Sequence, residues 1–459
     1  MKTYMNEYCN SNKIKSRCCP TTELLQRFNH EMGKGGIHLL ERLVNAGYSA
    51  YLVGGCVRDG VLGRPMKDID IATSAKPDRV MQLFPQAIPT GLQHGTVTVP
   101  LEHYVYEITT FRAESDYADG RRPNLVTFVE DIVADLERRD FTINAMALGL
   151  NGQLIDPFGG LNDLRERILR AVGNPTERFR EDALRMLRCV RIAAEYELKI
   201  DDNTWREVTL GAFRLKWIAM ERVYIEMERM IGGNDPYRAL QLLSESELLH
   251  YCKEPLSIPG SLGIDPTEDA ANCLIHLGDL QELQARWALW FLRMDLAPEH
   301  VRRIGRLLRM PSIHIYAIAG IMQFHRSLRS HIPNLSKDIW ILSIIKSAKP
   351  HAQAWLRIAS LCQQDVIFGW AMPYIQYGHE WLEGMPVTML SELKVNGSLV
   401  LQMTGRKGGP WLSVILQRLL EEAATGRCPN STEQLLERAK YFIGHESTFH
   451  TQMECDACE

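Results

Sequence analysis

Two carboxylates separated by one residue, Asp68 and Asp70, are the side chains of this sequence best suited to metal chemistry. They stand in the run Asp-Ile-Asp-Ile. In a β-strand alternate side chains share a face, so both carboxylates would point one way and Ile69 and Ile71 the other. Carboxylate oxygens are preferred ligands of Mg²⁺, and paired Mg²⁺ ions serve nucleotidyl transfer. The same pattern, seen alone, also fits an edge strand with a solvated acidic face.

A glycine turn precedes the acidic pair. Gly54 and Gly55 follow the strand-like run 49–53 and open a helix. Glycines let backbone N–H groups approach a phosphate closely, and the helix N-terminus adds positive potential. Arg58, one turn into the helix, could reach the same phosphates bidentately. Most such turns bind nothing, but an acidic pair downstream favours metal-dependent chemistry on a nucleotide.

Two further charged groups could join this site. Glu107 lies on another predicted strand and could supply a third carboxylate directed at the metal, although the sequence leaves its facing open. Arg139 follows Arg138 in the segment 135–146, where adjacent arginines stand beside acids. This pair could serve a triphosphate or form an internal ion pair, and Arg139 is the better candidate ligand.

A second constellation could distinguish nucleobases. On the predicted helix 181–196, Asp182 and Arg185 would be neighbours one turn apart, with Arg188 and Arg191 continuing the row. Such a row is usually an ion-pair ladder. A carboxylate, however, accepts from the exocyclic amine of cytosine or adenine, while a guanidinium donates to the adjacent ring nitrogen. Uracil and guanine would leave mismatched groups, at about 1–3 kcal/mol per group.

The elements that position these residues change character along the chain. Its 459 residues, 45% hydrophobic and 24% charged, indicate an ordinary folded protein. Strands are predicted at 49–53, 68–71, 96–99, 105–110 and 125–128, with helices at 37–46 and 57–62. After Gly173 the pattern is almost wholly helical. We therefore expect an α+β head followed by helical domains.

Charge, cysteine count and hydropathy restrict which classes of partner and which cellular compartment we expect. A net charge of −4 argues against a globally basic nucleic-acid binder. Between 301 and 337 there are no acidic residues but seven basic ones, which could bind phosphates or form a solvated helix face: Arg302, Arg303, Arg306, Arg309, Arg326, Arg329 and Lys337. Eleven scattered cysteines predict a reducing cytoplasm. No apolar stretch is long enough for a membrane span or a secretory signal, so no membrane partner is expected.

Taken together, these motifs resemble the class II CCA-adding enzymes, which are tRNA nucleotidyltransferases of the polymerase-β superfamily. The stretches that carry the resemblance lie within about residues 37–200: LVGGCVRDGVLGRPMKDIDIAT, HGTVTV, YEITTFR, DYADGRRPNLVTF, DLERRDFTINAMA, LIDPFGGLNDL and RFREDALRMLRCVRIAAE. The C-terminal stretch ELKVNGSLVLQMTGRKGGPWLSVILQRLLEEAATG resembles the tail of the bacterial, Bacillus-like branch.

The resemblance implies an α+β fold, with a polymerase-β-like nucleotidyltransferase head followed by an all-helical neck, body and tail. The implied divisions are an N-terminal extension 1–35, head 36–172, neck 173–233, body 234–385, tail 386–445 and C-terminal extension 446–459. Body and tail would bind the acceptor end of tRNA, and the neck would recognise the nucleobase. The sequence does not indicate an oligomeric state.

The resemblance also implies a role for individual residues. Gly55 and Arg58 would bind the incoming triphosphate, and Asp68 and Asp70 would be the catalytic ligands of Mg²⁺. The nucleotide pocket would comprise Arg139, Asp182, Arg185, Arg188 and Arg191, with Asp182 and Arg185 selecting the base.

The expected activity is the sequential addition of C, C and A to the tRNA 3′ end from CTP and ATP, without a nucleic-acid template. Alternatives are an A-adding or CC-adding partial enzyme, a poly(A) polymerase, or a non-catalytic tRNA-binding protein. His94-Gly-Thr-Val resembles the CCA-adding form, which argues against a poly(A) polymerase. The stretch 113–123 resembles the flexible loop that accompanies the switch to ATP in the family, and its full length argues against CC-only addition. Retention of both Asp68 and Asp70 argues against a non-catalytic protein. A-only addition stays open.

Overall fold

The structure, a computed structural model, describes residues 21–117, 123–259, 261–264 and 273–445. These residues form two compact units. The first comprises the described residues up to Met230 together with Arg238–Leu256, and the second comprises Ile231–Tyr237 and the described residues from Ser257 onwards. Residues 1–20 of the expected N-terminal extension, residues 118–122 of the stretch 113–123 that resembles a family loop, and the expected C-terminal extension 446–459 lie outside the described residues.

All strands among the described residues belong to the first unit. They are β1 Ala50–Val53, β2 Asp70–Thr73, β3 Ile88–Gly91, β4 Thr96–Leu101, β5 Tyr104–Thr110, β6 Arg112–Tyr117, β7 Pro123–Phe128, β8 Ala147–Leu148, β9 Leu154–Ile155, β10 Ile168–Leu169 and β11 Lys199–Ile200. The main sheet has the order β3-β4-β5-β2-β1-β8-β9, and β6 pairs with β7 in a separate ribbon. Each of the five strands predicted from the sequence is present, with ends shifted by up to two residues.

The helices of the first unit are α1 Glu31–Asn45, α2 Gly55–Leu62, α3 Pro77–Leu83, α4 Ile132–Glu137, α5 Gly160–Glu166, α6 Pro175–Glu181, α7 Leu184–Glu195, α8 Asp202–Gly211, α9 Met220–Ile231 and α10 Pro236–Ser246, the last two crossing its boundary by one or two residues. Helices α1 and α3 cover one face of the sheet, where the side chains of Ile71, Val97 and Ile108 are fully buried. The alternate positions of the same strands point to the opposite face. That face carries Asp70 and Glu107.

The first helix begins earlier than predicted. It starts at Glu31 rather than at Ile37, and the preceding 3₁₀ segment Thr21–Phe28 buries Leu24 and Phe28 completely. Gly33 permits this packing, because a Cβ there would lie 2.1 Å from the carbonyl oxygen of Phe28. The later part of the expected extension 1–35 is therefore built into the head.

The second unit is helical in its described residues: α11 Leu283–Arg293, α12 Pro298–Leu307, α13 Ser312–Arg329, α14 Lys337–Ser347, α15 Lys349–Leu361, α16 Met372–Glu383, α17 Gly397–Thr404, α18 Pro410–Ala424 and α19 Thr432–Gly444. Large aromatic side chains fill its core, among them Trp287, Trp290, Trp340 and Trp355, all fully buried. No helix in the described parts of the chain is long and apolar enough to cross a membrane.

The basic stretch 302–337 lies on α12, α13 and the start of α14. Arg303, Arg306 and Arg326 are exposed. Arg302 and Arg329 pair with acids just outside the stretch, Glu299 at 3.3 Å and Asp295 at 3.0 Å. The stretch therefore presents cations to solvent, two of them partly neutralised.

Candidate active site

The glycine turn lies beside the side chains that the sequence predicts for metal and phosphate binding. Gly54 has φ 76° and ψ −132°, a conformation that favours glycine, and α2 starts at the next residue. A Cβ on Gly54 would lie 3.0 Å from Arg139 Nη1 and 3.7 Å from Asp70 Oδ2, and one on Gly55 would lie 3.7 Å from Asp68 Oδ1. Both carboxylates and Arg139 therefore border one turn.

The two aspartates differ in environment. Asp68 precedes strand β2 and is exposed, whereas Asp70 is the first residue of the strand and half-buried. Burial, together with the negative charges of Asp68 and Glu107, raises the pKa of Asp70 to about 7 despite the opposing charge of Arg139. Negative charge is thus concentrated at this edge of the sheet, and a bound cation would offset it.

Glu107 lies beside Asp70. Strands β2 and β5 run parallel, and their register pairs these two residues. Directly paired residues of neighbouring strands point to the same face, so Glu107 faces the same side as Asp70 and is exposed there. The facing that the sequence left open is compatible with a third carboxylate.

The donor set fits a hard divalent cation shared with a substrate. Among the described residues no group of three or more His, Cys, Asp and Glu could hold a metal ion by itself. Mg²⁺ in nucleotide enzymes is usually held by one or two carboxylates plus substrate phosphates and water. Asp68 and Asp70 match this arrangement.

Arg58 lies beneath the turn rather than open to solvent. Its side chain donates to Asp59 Oδ1 at 3.0 Å, to Asn144 Oδ1 at 2.6 Å and to the Tyr196 hydroxyl at 2.5 Å. Its Nη2 lies 3.5 Å from the position of a Cβ on Gly55. The guanidinium is therefore next to the predicted phosphate site, but its donors are engaged internally.

Arg139 lies beside the turn and is held there by Asp135. Its Nη2 donates to Asp135 Oδ2 at 3.3 Å, while its buried Nε has no hydrogen-bond partner. Burial would raise the pKa of Asp135, but the charges of Arg138 and Arg139 outweigh it and the pKa is lowered. An ionised Asp135 thus anchors Arg139 beside Gly54.

The predicted helix 181–196 is wrong at its start, so Asp182 does not lie on the same helix as Arg185. Helix α6 ends at Glu181, Asp182 is extended with φ −142° and ψ 104°, and α7 starts at Leu184. The continuous helix 181–196 is therefore broken. Asp182 instead pairs with Arg222 of α9 at 2.7 Å, a residue that the sequence reading missed.

The Arg185 side chain forms hydrogen bonds with α6 and with the head. It donates to Glu181 Oε2 at 2.6 Å and to the carbonyl oxygens of Arg178 and Arg138 at 3.1 and 2.8 Å. Its contact with Arg138 ties the start of α7 to the segment that carries Arg139. No spacing rule could indicate Arg222 as the partner of Asp182, because it lies 40 residues away in sequence.

The remaining arginines of the row are held by carboxylates. Arg188 pairs with Asp140 at 2.6 Å, and Arg191 pairs with Glu226 at 2.7 Å and Glu195 at 3.1 Å. Burial would raise the pKa of Asp140, yet Arg188 and Asn144 hold it well below its usual range. Of these ion pairs, Arg191–Glu195 lies within α7, while the other two join α7 to the head and to α9 instead of forming a ladder along the helix.

Family models match three parts of the chain. The Poly A polymerase head domain matches residues 50–170, and the second domain of tRNA nucleotidyltransferases matches residues 279–439. Residues 197–256 match the "Probable RNA and SrmB-binding site of polymerase A".

Whole-chain relatives decide the family. The CCA-adding enzyme of Limosilactobacillus reuteri is 35% identical over 405 residues, covering 88% of this chain and 95% of the relative. That of Geobacillus stearothermophilus is 37% identical over 401 residues, covering 86% and 94%. This chain belongs to the CCA-adding enzymes. The resemblance seen in the sequence motifs is confirmed.

Solved CCA-adding enzymes share the fold. The Bacillus stearothermophilus CCA-adding enzyme in complex with CTP aligns with a TM-score of 0.75 and 31% identity, covering 91% of this chain and 99% of that one. The Thermotoga maritima CCA-adding enzyme complexed with tRNA aligns with a TM-score of 0.64 at 19% identity, covering 93% and 99%, which shows the fold alone. The predicted fold class, a polymerase-β-like head followed by helical domains, is confirmed.

Proposed function

We propose that Asp68 and Asp70 hold Mg²⁺ for the nucleotidyl transfer of this CCA-adding enzyme. The activity is the addition of C, C and A to the 3′ end of tRNA from CTP and ATP, without a nucleic-acid template and with release of pyrophosphate. The observation that carries the residue assignment is the convergence of both carboxylates and Arg139 on the Gly54-Gly55 turn.

In each round the terminal 3′-hydroxyl of tRNA attacks the α-phosphorus of the nucleotide and pyrophosphate leaves. Mg²⁺, when bound, supplies a Lewis acid for the attacking hydroxyl and positive charge for the leaving pyrophosphate. Gly54 and Gly55 leave the backbone open to close approach of the triphosphate, which the N-terminus of α2 favours electrostatically. Arg139, anchored by Asp135, places a further positive charge at the turn. Gly55 and Arg58 complete the proposed triphosphate site.

Base selection is assigned to Asp182 and Arg185. Asp182 Oδ1 accepts from the backbone N–H of Leu184 at 3.0 Å, and Arg222 orients the carboxylate. A carboxylate has about four lone-pair sites, so it can still accept from the exocyclic amine of cytosine or adenine. Arg185 would have to exchange its present acceptors for the base. Arg188 and Arg191 complete the proposed pocket by fixing the row to the head and to α9.

The remaining assignments follow the family. The head (36–172) and neck (173–233) bind the nucleotide, while the body (234–385) and tail (386–445) bind the acceptor end of tRNA. The basic stretch 302–337 is a candidate for phosphate contacts in the body. We assign the protein to the cytoplasm, where its tRNA, CTP and ATP substrates are found.

A tRNA transcript that lacks its CCA end tests this function. With Mg²⁺ and CTP alone we expect two additions, and with CTP plus ATP three additions followed by a stop. UTP and GTP should not be incorporated. A long A-tract, or a single A added only to a transcript already ending in CC, would contradict full CCA addition and identify a poly(A) polymerase or an A-adding enzyme.

A further inference from the structure

A buried tyrosine joins the neck to the phosphate turn. Tyr196 follows the last residue of α7 and is 6% exposed. Its hydroxyl donates to Asp59 Oδ1 at 2.9 Å and accepts from Arg58 Nη2 at 2.5 Å. The guanidinium carbon of Arg58 also lies over the Tyr196 ring, 4.2 Å from its centroid. One side chain thus contacts Arg58 through both its hydroxyl and its ring.

The residue before it fixes the loop that leads to the metal carboxylates. Glu195 accepts from Arg64 Nη1 through its carbonyl oxygen at 2.9 Å and from Lys67 Nζ through its carboxylate at 2.7 Å. Arg64 also stacks on the Tyr196 ring, 4.6 Å from the centroid. The end of α7 is therefore tied to the chain segment directly before Asp68.

The hydrogen-bond partners of Arg58 determine the orientation of its guanidinium. With the guanidinium buried, water cannot replace a lost partner, so the balance between Asp59, Asn144 and Tyr196 decides where its donors point. Without the Tyr196 hydroxyl, Asp59 would keep both of its hydrogen bonds from Arg58, and its Oδ1 would no longer be shared with Tyr196. Arg58 would then be drawn more fully into an ion pair and away from the turn.

We propose that Tyr196 is a positioning residue of the triphosphate site, which holds Arg58 beneath the Gly54-Gly55 turn. The inference rests on the proposed function of that turn and adds a residue of the neck to it. Because Tyr196 closes the helix that starts next to Asp182, triphosphate binding and base recognition are joined through the length of α7.

The test compares Tyr196→Phe, which removes the hydroxyl and keeps the ring, with Tyr106→Phe. Tyr106 is also buried in the head, and its hydroxyl donates to the carbonyl oxygen of Met32 at 2.9 Å. Met32 is not among the hydrogen-bond partners of Arg58. For each variant we would measure the KM for CTP and for ATP, the KM for tRNA, kcat, and the dissociation constant of magnesium pyrophosphate by calorimetry. A melting curve reports on folding.

For Tyr196→Phe we expect the KM for both nucleotides and the Kd for pyrophosphate to rise together, by about tenfold. The KM for tRNA and kcat at saturating nucleotide should stay within about twofold of the wild type. Pyrophosphate has no base, so a shared rise locates the loss at the triphosphate site. Tyr106→Phe should change none of these values.

An unchanged Kd for pyrophosphate would overturn the proposal, whether or not the KM for nucleotides rises. So would equal changes in both variants, which would show a loss of folding stability alone. Failure of the proposed function is distinguishable, because it would appear as absence of CCA addition by the wild-type enzyme while pyrophosphate binding can still be measured.

Discussion

At the scale of single residues, the proposed role of Asp182 in base selection depends on how its carboxylate is held. The carboxylate is not a helical neighbour of Arg185 but an extended residue between two helices, bonded to Arg222. This placement gives it one fixed orientation without consuming all of its acceptor sites. The local sequence could identify the candidate residue, while its actual partner required the tertiary fold.

Asp182→Ala should relax the choice of base. Removing the carboxylate removes the acceptor that favours an exocyclic amine. The penalty of about 1–3 kcal/mol against uracil is then lost, and discrimination should fall by about 5- to 150-fold. The measurement is the ratio of kcat/KM for CTP to that for UTP on a transcript lacking CCA. Asp202→Ala, at an exposed residue of α8, is the control. A ratio that Asp182→Ala leaves at the wild-type value would refute the base-reading role.

At the scale of elements, patterns within one segment were predictable and contacts between segments were not. Alternating β-branched residues correctly indicated the five strands. The break at Asp182 was missed because apolar spacing continues through it. The start of α1 was missed because glycines usually disfavour helices. Here Gly33 and Gly35 allow close approach of the Phe28 backbone and the Tyr106 hydroxyl, each 2.1 Å from the position of a Cβ.

The packing of α13 against α15 predicts an acid sensitivity of the second unit. His325 accepts from Trp355 Nε1 at 3.0 Å through Nδ1, and burial, with Arg329 and Arg326 nearby, lowers the pKa of the imidazole to about 3. The folded state therefore binds fewer protons than the unfolded state between pH 3 and pH 6.5. The part of the free energy of unfolding that depends on neutral His325 is fully present above pH 6.5. It is lost as the pH falls towards 3, at no more than about 1.4 kcal/mol per pH unit.

His325→Gln keeps an acceptor for Trp355 but cannot titrate in this range. We expect its free energy of unfolding to be lower than that of the wild type at pH 7 and less dependent on pH between 6.5 and 4. Denaturant titrations followed by tryptophan fluorescence at several pH values measure both quantities. The same pH slope in variant and wild type would exclude His325 as the cause.

At the scale of the whole molecule, the proposed catalytic residues and the candidate tRNA-binding residues lie in different parts of the chain. The carboxylates and the glycine turn lie in the first unit, and the basic stretch 302–337 lies in the second. The sequence predicted that Asp68 and Asp70 lie near the Gly54-Gly55 turn, because these residues stand at short spacings, and the structure brings them together. It left the basic stretch undecided between phosphate contacts and a solvated face, because charge patterning looks the same in both.

The double variant Arg303→Gln, Arg306→Gln should decide between these interpretations. If both arginines contact phosphates, tRNA affinity should fall and the dependence of log K on log salt should flatten by about one unit per lost contact. The KM for CTP should not change. Arg357→Gln, which removes an exposed arginine paired with Glu282, is the control in the same unit. An unaltered salt slope would assign the two arginines to a solvated face.

The most direct test of the central claim is single-turnover addition of CMP to a tRNA lacking CCA by Asp70→Asn. Loss of a ligand to the catalytic metal removes several kcal/mol of transition-state stabilisation, so the rate should fall by about three orders of magnitude. Asp78→Asn, at an acidic residue in the first turn of α3, controls for the loss of one negative charge. We expect the tRNA affinity of Asp70→Asn to match that of the wild type. Its melting temperature should be no lower, because the raised pKa of Asp70 means that its charge disfavours the folded state. Addition at the wild-type rate would contradict the assignment of Asp68 and Asp70 as the metal-binding pair.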